Sequence, residues 1–198
     1  MSKFSLVVLA SGQGTNFMAI QEAIEQGKIP AQIKALVVSR PSVAAAEKAE
    51  QLGVPVVCVD RVSEASKAEW DQKLLLALKS LEPDLIVLAG FLRKIGPLVI
   101  KEFSEKLINT HPSLLPAFGG EGMYGRKIHE AVMASKEKVT GITIHRVVSD
   151  YDSGPIIAQV ALSVNPDGTP ETLEDEVKSL EHEFLVNVLE KSIKAKLT

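Results

Sequence analysis

The segment Ser5–Asn16 reads SLVVLASGQGTN and decides the fold, because it joins an apolar run to a glycine-rich turn. A continuous apolar run of this kind is typical of a strand that is buried on both faces of a parallel sheet. Glycines let the backbone turn tightly, and a helix that follows presents unpaired N–H groups that attract an anion. Gly12, Gly14, Thr15 and Asn16 are therefore candidate ligands of a phosphate group.

The same glycines are explained by a plain strand-to-helix turn in which Asn16 only caps the helix. The turn lacks the third glycine of the dinucleotide fingerprint, and Ser39-Arg40 stands where an acidic residue would end the second strand. NAD is therefore disfavoured, and a monophosphate is the better candidate ligand. On the turn alone, the binding interpretation and the structural one remain open.

Apolar runs and amphipathic stretches alternate through the first half of the chain. This alternation predicts right-handed βαβ units and an α/β fold with a Rossmann-like, doubly wound, mostly parallel sheet. Gly53 is expected to end the second helix, and Ser66 with Glu69 forms a capping box for the third. The predicted strands and helices are Ser5–Ala10, Asn16–Gln26, Ile33–Ser39, Val43–Leu52, Pro55–Asp60, Ser66–Leu81 and Asp84–Ala89.

The second half has a different pattern. A short link separates two β-like runs, Val139–Val148 and Pro155–Val164, which predicts an antiparallel pair at one edge of the sheet. Thr169-Pro170 has the residues that begin a helix, and Pro112–Gly125 is long enough to be a functional loop. A brief strand at Leu107–Asn109 and a helix at Arg126–Ser135 are also predicted. We expect one domain over residues 1–198, with a phosphate-binding half (1–106) and a catalytic, folate-binding half (107–198).

Composition excludes several classes of protein. The 198 residues carry a net charge of −3, whereas proteins that bind nucleic acids usually have a basic excess. No stretch approaches the ~20 apolar residues of a membrane span, and no secretory signal is present. Cys58 is the single cysteine, which fits a reducing compartment, and its apolar neighbours predict a packed core thiol. We expect a cytoplasmic protein without nucleic-acid or membrane partners, and the sequence leaves a homodimer open.

The motif Asn109-Thr110-His111-Pro112 is the second candidate for chemistry. Residues i and i+2 of an extended segment share a face, and a proline disfavours the helical region for the residue before it. Asn109 and His111 should therefore point the same way at the end of a central strand, where ligands bind in open α/β sheets. A carboxamide beside an imidazole can stabilise an oxyanion and move a proton. Two loop residues bonded to backbone explain the motif as well.

The remaining polar candidates are ambiguous in the sequence. Asp152 could orient or charge His111, or it could belong to an ordinary acidic turn, and His145 could be a satisfied core histidine. Glu181-His182 is expected on a solvated helix face. His129 is also expected to be solvated. The four histidines have no metal-ligand spacing, so no metal is predicted.

Taken in order, these motifs identify a family. The segments N-T-H-P-S-L-L-P at Asn109–Pro116 and D-S-G-P at Asp152–Pro155 resemble the folate-dependent formyltransferases. The glycine turn, D-L-I-V-L-A-G-F at Asp84–Phe91 and G-I-T-I-H at Gly141–His145 extend the resemblance over essentially the whole chain. The glycine turn is similar to that of the branch that acts on phosphoribosylglycinamide. Ala117–Gly125 departs from the shorter stretch of better-known members.

The resemblance implies an enzyme that transfers the formyl group of 10-formyltetrahydrofolate to the amine of phosphoribosylglycinamide in purine biosynthesis, without a metal. It implies that Asn109, His111 and Asp152 are catalytic, with Asp152 orienting His111 and raising its pKa. It also implies roles in binding the two substrates. The substrate phosphate would be held by Gly12, Gly14, Thr15 and Asn16, the ribonucleotide would contact Glu181, and the folate would be cradled by Leu92, Arg93, Ile95, Val147 and Asp152.

Two other functions fit part of the pattern. Relatives with the same folate pocket hydrolyse formyl-folate or formylate an aminoacyl initiator tRNA, and each carries an extra domain that this sequence does not contain. A non-catalytic module that senses a phosphorylated metabolite would keep the glycine turn. It would not need an intact set of Asn109, His111 and Asp152.

Overall fold

The computed structural model describes residues 3–60 and 66–197, and its centre is one seven-stranded sheet. The strands lie side by side in the order β3-β2-β1-β4-β5-β6-β7. The predicted mostly parallel, doubly wound α/β fold is confirmed. The strands are β1 Phe4–Ala10, β2 Ala31–Val38, β3 Val56–Cys58, β4 Leu85–Leu88, β5 Leu107–His111, β6 Val139–Arg146 and β7 Ile156–Ser163.

One strand of the sheet, β6, runs opposite to all the others. The first five strands pair in parallel, whereas β6 runs antiparallel to both β5 and β7. All residues of β1 and β4 are buried, as expected for strands covered on both faces. The antiparallel edge predicted for the C-terminal half is therefore confirmed.

Helices cover both faces of the sheet. The helices α1 and α6 pack against each other and share a core with one face, while α3 and α4 pack on the other face. The helix α5 packs against α6 in a third, smaller core. The helices are α1 Thr15–Glu25, α2 Ala44–Gln51, α3 Lys67–Leu81, α4 Pro97–Phe103, α5 Arg126–Ala134 and α6 Pro170–Leu197.

Local capping explains where several helices begin. The Ser66 hydroxyl accepts the Glu69 N–H at 3.1 Å, and the Thr169 hydroxyl accepts the Thr172 N–H at 3.3 Å. Both predicted helix starts are therefore confirmed. The helix α4 was not predicted, because Asp71 of α3 supplies its cap by accepting the Leu98 N–H at 2.8 Å. A cap from a residue so distant in sequence cannot be recognised locally, and Pro97 at the first position of α4 is the local signal that was missed.

The prediction that Cys58 is a packed core thiol is wrong. β3 is the edge strand, so one side of it has no neighbouring strand, and Cys58 is exposed. Partial burial, with Asp60 nearby, raises the pKa of the Cys58 thiol and disfavours a reactive thiolate. Among the helices of residues 3–60 and 66–197, none has both the length and the apolarity to span a bilayer.

Candidate active site

A cavity of about 600 Å³ opens where β1, β4 and β5 end. The carboxyl ends of the strands are the edge at which open α/β sheets bind ligands. The structure thus brings together residues that are up to 169 positions apart in the chain. Every site residue predicted from the sequence borders this cavity: Gly12, Gly14, Thr15, Asn16, Leu92, Arg93, Ile95, Asn109, His111, Val147, Asp152 and Glu181.

The glycine turn is held against α2. Gly14 has a φ of 71°, and a Cβ added there would lie 2.6 Å from the Ala45 Cβ, so a larger residue does not fit. The N-cap of α1 is Gly14 itself, and no side chain caps the helix. The alternative in which Asn16 serves only as a cap is therefore wrong. The first turn of α1 keeps backbone N–H groups for a ligand. Within residues 3–60 and 66–197, the buried Asn16 Oδ1 has no hydrogen-bond partner.

Asn109 is paired with a histidine of the neighbouring strand. Asn109 and His145 are cross-strand partners, and Asn109 Nδ2 lies 3.0 Å from His145 Nε2. His145 Nδ1 lies 2.8 Å from the carbonyl oxygen of Arg146, which can only accept, so Nδ1 carries the proton. With Nδ1 bonded to Arg146, Nε2 is the ring nitrogen of His145 that faces the Asn109 amide. This bond fixes the orientation of the carboxamide at the cavity wall.

His111 is nearly enclosed, and its two ring nitrogens have different partners. Nε2 lies 2.9 Å from the carbonyl oxygen of Phe118 and must donate to it, whereas Nδ1 faces Asp152 Oδ2 at 3.5 Å. In the neutral ring, Nδ1 therefore keeps the lone pair and is the atom that accepts a proton. Burial lowers the pKa of His111, although the charge of Asp152 acts in the opposite direction. Asp152 thus raises the pKa of His111 as expected, but desolvation is the larger effect and the net pKa is lowered.

Asp152 connects the two histidines. Its Oδ1 lies 3.5 Å from His145 Nε2, and its Oδ2 accepts the Gly120 N–H at 3.0 Å in addition to facing His111. Burial acts to raise the pKa of Asp152, but the contact with His145, the nearby His111 and the Gly120 amide together lower it. Asp152 is therefore a carboxylate at neutral pH, placed between two imidazoles.

The helix α6 presents a charged face to the cavity. Glu181 is only 8% exposed and accepts the Thr110 hydroxyl at 2.7 Å, so the expectation of a solvated helix face is wrong at this position. One turn earlier, Lys178 pairs with Glu174 at 2.6 Å, and both residues also border the cavity. The wall formed by α6 thus supplies a buried carboxylate and a cation.

The residues predicted to hold a folate lie on the opposite side of the cavity. Ile95 is buried in the core shared with α3 and α4, Val147 packs against that core, and Leu92 is half exposed. The Leu92 N–H already donates to the Ser11 hydroxyl at 3.1 Å, so this backbone group is not free for a ligand. These side chains give this part of the cavity an apolar surface.

Two site histidines were not recognised from the sequence. The sequence is compatible with His145 as a core residue. Only the register of β5 and β6 places it beside Asn109. His129 was expected to be solvated, which is wrong. It is 2% exposed, because α5 turns this side chain towards α6 and the cavity. Among the described residues, no group of three metal-binding side chains is found.

Residues 4–189 match the sequence profile of the formyl transferase family, and the chain belongs to this family. A crystal structure of phosphoribosylglycinamide formyltransferase from Bacillus halodurans superposes with a TM-score of 0.89 at 34% identity, covering 96% of this chain and 95% of that one. Glycinamide ribonucleotide transformylase 1 from Symbiobacterium toebii gives a TM-score of 0.90 at 30% identity, over 98% and 89% of the two chains.

Curated relatives are also named phosphoribosylglycinamide formyltransferase. Phosphoribosylglycinamide formyltransferase from Bacillus subtilis is 38% identical over 189 residues, which are 96% of this chain and 93% of the relative. The chloroplastic enzyme of Vigna unguiculata is 38% identical over 185 residues, or 93% of this chain and 59% of the relative. The chain spans about three fifths of the length of the two plant relatives that it matches, which cover 59% and 63%.

Proposed function

We propose that this protein transfers the formyl group of 10-formyltetrahydrofolate to the amine of phosphoribosylglycinamide, a reaction of purine biosynthesis. One observation carries the proposal: the cluster of Asn109, His111, His145 and Asp152 borders the same cavity as the glycine turn. A molecule bound in this cavity can therefore contact both a group of side chains suited to acyl transfer and an anion site. The names of the relatives from Bacillus subtilis and Bacillus halodurans support the choice of substrate.

The phosphate of the substrate binds at the glycine turn in this proposal. Gly12, Gly14, Thr15 and Asn16 offer backbone N–H groups at the positive end of α1, where a phosphate is favoured. Lys178 supplies a cation on the facing wall of the cavity. The Glu181 carboxylate, which is already anchored by Thr110, has lone pairs left for a ribose hydroxyl.

The transfer itself follows from the geometry of the side chains. The amine attacks the formyl carbon, the carbonyl becomes a tetrahedral oxyanion, and the bond to the folate nitrogen then breaks. Asn109 donates an N–H to the oxyanion, because its carboxamide is held in place by His145. His111 Nδ1 takes the proton that the amine loses and returns it to the departing nitrogen. Asp152 stabilises the imidazolium between these steps.

The folate ring lies on the apolar side of the cavity in this proposal. Leu92, Ile95 and Val147 offer the surface for a flat ring, and Arg93 lies at the same edge for a charged part of the molecule. Asp152 then borders both substrates, which places the formyl group between the ring and the amine. A largely apolar lining with a few polar groups is typical of pockets that bind small molecules, and it suits the flat ring of the folate.

Mass spectrometry of a single incubation tests the proposal. The protein is mixed with phosphoribosylglycinamide and 10-formyltetrahydrofolate, and the ribonucleotide should gain one formyl group while the folate loses one. The control omits the ribonucleotide. Formate released in that control at the same rate would indicate a formyl-folate hydrolase instead. Binding of the ribonucleotide without product would indicate a non-catalytic module.

A further inference from the structure

His129 is a buried histidine on the cavity wall for which the proposed chemistry has no role. It is 2% exposed, and its Nδ1 has no hydrogen-bond partner among the residues that the structure describes. Buried polar atoms are normally paired, so an unpaired one needs a specific explanation. Within the described part of the chain, four buried side-chain atoms have no partner, and two of them belong to the cavity wall. Those two residues are Asn16, which belongs to the glycine turn, and His129, which does not.

The position of His129 relates it to the ribonucleotide and not to the folate. The helix α5 packs against α6, which packs against α1, so His129 lies in the helix layer of the glycine turn. The apolar surface proposed for the folate belongs to the core on the other face of the sheet. On α6, Glu174, Lys178 and Glu181 border the cavity together with His129.

The charged groups around His129 define its chemical state. Burial lowers its pKa, with Glu174 opposing this effect and with Lys178, Arg126 and His111 reinforcing it. A neutral imidazole offers one N–H donor and one lone pair, which suits a phosphate oxygen or a ribose hydroxyl. Arg126 is engaged by Glu171 at 2.9 Å and by Glu174 at 3.2 Å, so it does not replace this donor.

We propose that His129 is a binding residue for the phosphoribosyl part of the substrate, to which its imidazole donates a hydrogen bond from the cavity wall. The inference rests on the function proposed above and makes it more specific. His129 takes no part in proton transfer. Its role is to hold the ribose phosphate so that the amine reaches the formyl group.

The test compares three variants by steady-state kinetics with both substrates. His129→Phe keeps the ring volume but removes the hydrogen bond. It should raise KM for phosphoribosylglycinamide by about 10- to 100-fold, as expected for a hydrogen bond to a charged group. The value of kcat should change by less than about threefold, and KM for the folate should be unchanged. His129→Gln, which restores a donor, should recover part of the affinity.

His182→Phe is the matched control. His182 also has a buried ring nitrogen without a partner, but it does not border the cavity. A purely structural cost of replacing such a histidine should appear in both proteins as lower stability, with no specific change in KM. If His129→Phe and His182→Phe have the same KM for the ribonucleotide, the inference is overturned. If His129→Phe does not fold, His129→Ala and His182→Ala replace the pair, and an equal KM for the ribonucleotide in these two variants overturns the inference.

Calorimetry with phosphoribosylglycinamide alone separates this inference from the proposed function. Weaker binding to His129→Phe than to His182→Phe supports a contact with the phosphoribosyl group even without turnover. Equal binding to the two variants overturns the contact. Absence of formyl transfer by the wild-type protein overturns the proposed function, whatever the variants show. Normal transfer with equal affinities overturns the role of His129 alone.

Discussion

The two ends of the cavity are built in different ways. The end at the glycine turn comes from one continuous segment, Gly12–Asn16, and offers mainly backbone N–H groups. The end at Asn109 uses side chains from β5, β6 and the turn before β7. A backbone site depends on local conformation, whereas the side-chain site depends on the register between strands. Mutations at the two ends of the cavity should therefore have different effects on activity and stability.

Replacement of His111 should have the largest effect. His111→Ala removes the group that accepts the proton at Nδ1, and kcat should fall by roughly 10²–10⁴-fold, the usual contribution of general acid–base catalysis. KM for the ribonucleotide should change little, because the phosphate end is untouched. Steady-state kinetics measures both constants. A near-normal kcat for His111→Ala would contradict the assignment of proton transfer to this end of the cavity.

Replacement of Asn109 should have the next largest effect. Asn109→Ala removes one oxyanion donor, and kcat should fall by roughly 10²–10³-fold. The change also leaves His145 Nε2 without the amide that it faces. His145→Gln is the companion variant, since it should lower kcat by a smaller factor through a misoriented carboxamide. Equal kcat for wild type and Asn109→Ala would contradict the assigned role.

Gly14→Ala tests the backbone end through stability. Its φ of 71° and the 2.6 Å approach to the Ala45 Cβ make an added methyl group unfavourable. We expect a free energy of unfolding that is lower by at least about 1–2 kcal/mol, measured by urea denaturation. Gly12→Ala is the matched control, because nothing lies within 4 Å of a Cβ there. Equal losses in both variants would show that the turn is not held by this contact.

The acid limb of the pH profile should show the smallest effect. Since burial lowers the pKa of His111, the base form should persist below the ordinary histidine value of 6.5, and kcat/KM should fall only at more acidic pH. Asp152→Asn removes the charge that acts to raise this pKa. The acid limb should then move to still lower pH, by less than about two units. A shift towards higher pH would contradict the electrostatic role of Asp152.

The sequence predicted most of the fold, because strand–helix alternation and helix caps are local signals. Prediction failed where the deciding contact comes from a residue far away in the sequence. The start of α4 is capped by Asp71 of α3, and Cys58 is exposed because no strand pairs with the outer side of β3. The glycine turn and Asn109–His111 were predicted from short motifs at the ends of β1 and β5, whereas Glu181 and the residues for the folate followed from the family resemblance. The partners of His145 and Glu181 could not be predicted, because they depend on strand register and helix packing.

The loop Ala117–Gly125 touches the acid–base pair only through its main chain. The Phe118 carbonyl accepts from His111, and the Gly120 amide donates to Asp152. Neither hydrogen bond uses a side chain, but a Cβ added at Gly119 would lie 2.5 Å from Leu115 Cδ2 and 3.2 Å from Asp152 Cβ, so this position does not tolerate a larger residue. Insertions and deletions displace the two peptide groups that hold the pair. The segment is therefore constrained in its length and path, and at Gly119 also in amino-acid identity.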